Sequence, residues 1–155
     1  MLEGARGGSR YYVPQLSGLY AAMEPLAYPL MRLVIGLFLM PHGAQKLFGV
    51  LGGDQAQTAA MFAKMGFNPG YFWMMVTGGV EFFGGLLIAI GFLTRPAALA
   101  CAILLAVACT VHLPIGWFWT GRGAEFPVMW TILAFAVFMR GGGLYSVDNA
   151  RGREF

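Results

Sequence analysis

His42 and Lys46 stand four residues apart in an otherwise apolar run, so on a helix they share one face. Glu81 stands near the middle of a second apolar run, His112 near the end of a third, and Glu125 opens a fourth. Ionisable groups are rare inside membrane spans and usually face the bundle interior, so each is a site candidate. An imidazole, an ammonium and a carboxylate together supply hydrogen-bond donors and a proton acceptor. Those are the groups that hold the polar head of a small ligand. Pro41 lacks the backbone N–H of its turn and so frees a carbonyl beside them, and Gly43 leaves the backbone approachable. Each residue also has a reading without a ligand. Lys46 and Glu81 then form a buried ion pair that fixes helix packing, and His112 is an interfacial histidine bonded to a carbonyl. Glu125 complements the dipole of the helix it begins. The two histidines and two acids lack HxxxH or ExxH spacing, so no metal is expected. They complete no catalytic set.

The elements that must position these groups follow from composition. Of the 155 residues, 58% are hydrophobic and only 11% charged, against about 25% charge in soluble domains. The chain is an integral membrane protein, all-α, with the bilayer as its first partner. Four apolar segments predict a four-helix bundle: Pro25 to Gly49, Gly70 to Leu93, Pro96 to Gly116 and Ala124 to Met139. Three have the roughly 20 residues that cross a ~30 Å hydrocarbon core, and the fourth is short unless its flanks contribute. Between the first two lies a true loop with a short interfacial helix over Gln55–Lys64. Thr94-Arg95-Pro96 reads as a tight turn with Pro96 opening the third helix. The domain layout is an N-terminal interfacial segment over 1–25, a membrane domain over 26–148 and a tail over 149–155.

Charge sets the expected orientation. Arg6, Arg10, Arg95, Arg140, Arg151 and Arg153 gather on one side, and only Lys64 and Arg122 occupy the opposite loops. Both termini are therefore expected in the cytoplasm, with Glu81, His42, Lys46, His112 and Glu125 in the outer half of the bilayer. Arg32 sits toward the cytoplasmic end of span one, as a structural polar residue that snorkels to headgroups. No cleaved signal peptide is expected, because the first apolar run continues through His42 and Lys46. The net charge of +3 is scattered, so nucleic acid is excluded as a partner.

Small residues make the other pattern. Gly78, Gly79, Gly84, Gly85, Ala89 and Gly91 line span two, and Ala98, Ala102 and Ala106 recur every four on span three. Such faces let helices approach closely, within one bundle or against a partner's helices. Cys101 and Cys109 are eight apart, about 12 Å of helix, which is too far for a disulfide. They read as packing residues.

Span one, from Arg32 through Gly36 and Met40-Pro-His-Gly to Lys46 and Gly49, resembles the opening helix of the DoxX family of small four-span membrane proteins. Gly78-Gly-Val-Glu-Phe-Phe-Gly-Gly85, the turn Gly91-Phe-Leu-Thr-Arg-Pro96 and the finish Gly141-Gly-Gly-Leu-Tyr-Ser-Val-Asp148 are similar to the family's later motifs. The resemblance covers roughly residues 28 to 148. It implies a multi-pass protein of the bacterial inner membrane, associated with membrane oxidoreductases and quinone-linked sulfur oxidation. It marks Arg32, His42, Lys46 and Glu81 as the family's recurring polar positions.

The chain has no haem-ligand pair, iron–sulfur motif or nucleotide fingerprint, so no covalently bound cofactor is expected. An electron-transfer role then needs a diffusible quinone or a cofactor in another membrane subunit. Two functions compete. The first is a subunit that binds a quinone-like ligand through His42, Lys46, Glu81 and His112. The second is a non-catalytic scaffold of a larger complex or homo-oligomer. A small-solute carrier has less support, because paired discontinuous helices are missing.

Overall fold

The computed structural model describes residues 11–155, and Arg6 and Arg10 lie outside them. The regular structure of the described residues is entirely helical. Helix α1 (Ser17–Phe48) is followed by α2 (Gln55–Lys64) and α3 (Gly70–Gly79). A π turn at Val80–Gly84 joins α3 to α4 (Gly85–Ile90). Then come α5 (Thr94–His112), α6 (Glu125–Arg140) and the short α7 (Val147–Ala150).

Three helices are long and apolar enough to cross a membrane: Pro14–Phe48, Gly70–Ile90 and Thr94–His112. The fourth, α6, has 16 residues, about 24 Å, and falls short of that length. Helix α1 begins earlier than expected. The span was expected to open at Pro25, whereas one continuous helix starts at Ser17 and carries Pro25, Pro29 and Pro41 inside it. Helix α5 starts at Thr94, so Pro96 falls at its third residue, where a missing N–H still breaks no intrahelical bond.

The α1 helix packs along α3, the π turn and α4, while α5 packs on α6 and reaches the π turn and α4. Ile35 and Leu39 of α1, Ile88 of α4, Ala97, Ala98, Cys101, Ala102 and Leu105 of α5, and Ala134 and Val137 of α6 form the core. Close approach of α1 and span two rests on glycine. A Cβ on Gly36 would stand 2.3 Å from the Gly85 carbonyl, and one on Gly43 would stand 2.4 Å from the Phe82 nitrogen. Not every small residue serves this way. Gly79 has nothing within 4 Å, and Ala106 is exposed while Leu105 continues the buried face. Cys101 is buried with its thiol toward the Val80 carbonyl at 3.5 Å, and Cys109 lies 3.6 Å from the Thr131 hydroxyl.

Candidate functional site

Two clusters of charge occupy opposite ends of the bundle. At the end that carries α2 and the 113–124 connection, Lys46 and Glu81 meet. Lys46 Nζ lies 2.6 Å from Glu81 Oε2, and it also donates to the His42 carbonyl at 3.2 Å. The local sequence explains the meeting. Gly78 faces Lys46 so closely that a Cβ there would stand 2.9 Å from the lysine Cβ, so the glycine lets the base of the lysine side chain sit against span two. Glu81 belongs to the π turn, where the helix widens and the ladder loses its α register. Such turns recur at functional sites. The pair is only partly enclosed, with 17% and 11% of the two side chains exposed.

His42 joins this group through its backbone. It is exposed, and its ring makes no hydrogen bond among the described residues. His112 and Glu125 lie elsewhere. His112 Nδ1 is 2.6 Å from the Arg122 carbonyl, and Glu125 Oε2 accepts from the Trp119 amide at 3.1 Å. Both stitch the α5–α6 connection. The structure therefore brings Lys46 and Glu81 together beside His42, and it holds His112 and Glu125 apart from them.

The opposite end holds a centre that sequence reading missed. Arg32 does not snorkel. It is 2% exposed, and its Nη2 donates to the Tyr145 carbonyl at 2.8 Å. Asp148, 5% exposed, accepts from the Leu93 amide at 2.9 Å, the Thr94 amide at 2.9 Å and the Thr94 hydroxyl at 2.6 Å. It thereby caps the N-terminus of α5 from the far end of the chain. Burial alone would raise the Asp148 pKa. The Thr94 and Leu93 donors and the nearby Arg32 charge outweigh it and hold the carboxyl below its ordinary value. Arg95 donates to the last carbonyls of α6, Met139 at 3.0 Å among them, and the Tyr28 hydroxyl donates to the Gly141 carbonyl. The available signal was Ser146-Val-Asp148, where Ser146 caps the short α7 while the Asp148 carboxylate turns to the start of α5 instead.

The DoxX family model matches residues 27–113. The chain belongs to the DoxX family. This is a family of small membrane proteins, in keeping with the three long apolar helices. The matched region of this DoxX protein contains Arg32, His42, Lys46, Glu81 and His112, and it stops before α6. Glu125 and the Gly141–Asp148 segment therefore lie outside the match, which is shorter than the motifs of the chain suggested. No curated protein and no solved structure matches the chain.

Proposed function

We propose that this DoxX protein is a multi-pass subunit of an oxidoreductase system in the bacterial cytoplasmic membrane, and that Lys46, Glu81 and His42 hold the head group of a quinone-like ligand. The observation that carries this reading is the Lys46–Glu81 pair, partly open and set in the π turn of an apolar helix. Lys46 and the His42 ring donate to a ligand carbonyl, and Glu81 exchanges a proton with the reduced form. Electrons pass to or from a redox centre in a partner subunit. In this reading α6 is a fourth crossing, supported by its packing along α5 and by Ala134 and Val137 in the shared core. The termini are cytoplasmic, and the α2 end faces outward. Cysteines placed at the exposed Gln57 and Asn149 test the orientation. An impermeant thiol reagent added outside should label the first alone, and labelling of Asn149→Cys alone reverses the model.

A scaffold is the second reading, favoured by one observation. Glycine contacts bring the α1 and span-two backbones together on either side of the pair, so the pair also serves as a fastener. Lys46→Arg separates the two, because a guanidinium keeps the ion pair but does not fit a head-group pocket shaped for an ammonium. His42→Ala and Lys46→Arg should each lower bound quinone and quinone-dependent electron transfer in purified membranes. If both variants keep wild-type values, the scaffold reading replaces the ligand reading.

A further inference from the structure

The α1 helix has a second face that the bundle does not use. The residues that meet the rest of the molecule, Tyr28, Arg32, Ile35, Gly36, Leu39 and Gly43, recur along one side. Along the opposite side run Leu16, Leu19, Met23, Leu26, Leu30, Leu33 and Leu37. Their spacing alternates three and four throughout, and every one is exposed, from 37% at Leu16 to 61% at Leu30. A lipid-facing surface needs apolar residues in no particular order. A strict 3.5-residue repeat of Leu and Met is what a second helix reads, because it keeps one seam turned toward a supercoiled partner.

The stripe also outruns the bundle. Tyr28 and Arg32 meet Gly141 and Tyr145 just past the end of α6, at a rim that holds Arg95, Arg140 and Glu154. Residues 17–27 extend beyond that rim by about 16 Å, and residues 18–27 are all exposed. Within hydrocarbon an apolar stripe gains nothing by being covered. In the bilayer placement proposed above, on which this step rests, Leu16, Leu19, Met23 and Leu26 lie past the rim among headgroups and water, where burial is favourable.

We propose that this stripe is the contact with a second copy of the chain, joined as a parallel two-fold dimer through α1. Copies inserted in the same sense are necessarily parallel, and one stripe meets itself in register across the axis. The flanking residues Tyr20, Ala22, Ala27, Pro29 and Val34 carry no charge. Nothing there repels an identical helix, and no charge pattern selects a different one. The area suffices as well. Seven side chains per copy, each about half exposed, bury on the order of 1,000 Å² in total across the axis, the lower edge of specific interfaces.

Cross-linking of the full chain in membranes tests this. Leu19→Cys and Leu26→Cys lie on the seam, and Ala21→Cys lies on the opposite side. Mild oxidation should give disulfide dimers at least tenfold more abundant at the two seam positions than at Ala21→Cys. Equal yields at all three, a product with a different protein, or no product at all would each overturn the proposal. A Leu19→Gln, Leu26→Gln double variant should halve the protein mass per particle in mild detergent and keep the helical content of the wild type, since neither side chain enters the core. A wild-type chain that is monomeric in both detergent and nanodiscs also overturns it.

Discussion

Glu81 and Asp148 are both carboxylates in apolar surroundings, yet their environments differ. Asp148 spends both oxygens on three donors of the Leu93–Thr94 turn and has Arg32 close by. Glu81 has one ionic partner among the described residues, Lys46, and the pair keeps a tenth or more of each side chain open. An acid whose acceptors all go to backbone and hydroxyl donors of its own chain is a structural part. An acid with one partner and an open edge has capacity left for something else. On the proposed reading, stability belongs to the Asp148 end and ligand chemistry to the Glu81 end.

The strongest way to break that assignment is at Gly91. Its φ of +70° is unfavourable for other residues, and an added Cβ would fall 1.5 Å from Arg32 Nη1 and 2.4 Å from Ser146 Cβ. Gly91→Ala should cost about 4 kcal/mol from strain plus overpacking, read as a fall in apparent melting temperature in detergent. Gly79→Ala, with open space around it, is the matched control and should leave that temperature unchanged or slightly raised.

Next in size is Asp148→Asn, which should cost about 3 kcal/mol, because charge-assisted bonds are lost and Arg32 loses its counter-charge. The pH dependence sharpens the point. The folded pKa lies below the unfolded value of about 3.9, so the stabilisation is complete above that value. It is lost as pH falls through the folded pKa. Wild type minus Asp148→Asn stability should therefore shrink below about pH 4 and stay constant above it. A constant difference down to pH 2 would show that Asp148 is not the group responsible.

The smallest effects on stability belong to the other end. Glu81→Gln alone should cost about 2 kcal/mol, since it strands the Lys46 ammonium. With Lys46→Met added, the loss should shrink to about 1 kcal/mol or less, while on the proposed reading bound quinone should stay below the wild-type level. A double variant as unstable as Asp148→Asn would erase the distinction between the two ends.

The Glu81 end was legible because a charge in an apolar run is conspicuous, and the four-residue step between His42 and Lys46 needs only helix periodicity. The three long helices were legible for the same reason. His112 had two readings, a site member or a histidine bonded to a carbonyl, and the geometry is the second; Glu125, read as a structural acid at a helix start, accepts from the Trp119 amide. The Arg32 end was hidden. Its turns depend on Leu93 and Tyr145 in left-handed conformation, with φ of 49° and 55°, and neither residue type advertises that geometry. Its partners are also remote, with Arg32 and Tyr145 113 residues apart. The first span was expected to open at Pro25, yet α1 starts at Ser17 and runs through that proline, so its true start was hidden as well. The π turn leaves no mark in a glycine-rich run.

The distance from Arg32 to Tyr145 is also an interval of time. A ribosome adding about 5–20 residues per second takes roughly 6 to 23 s to cover those 113 residues. For most of that interval the first helix is already made, and its guanidinium has no Tyr145 carbonyl to hold and no Asp148 beside it. The second and third helices arrive while the start of α5 still lacks its cap. The bundle is therefore open at this end throughout synthesis and closes only when residues 145–148 emerge. Any factor that escorts the nascent chain has that window in which to act, and it has one buried arginine to shield.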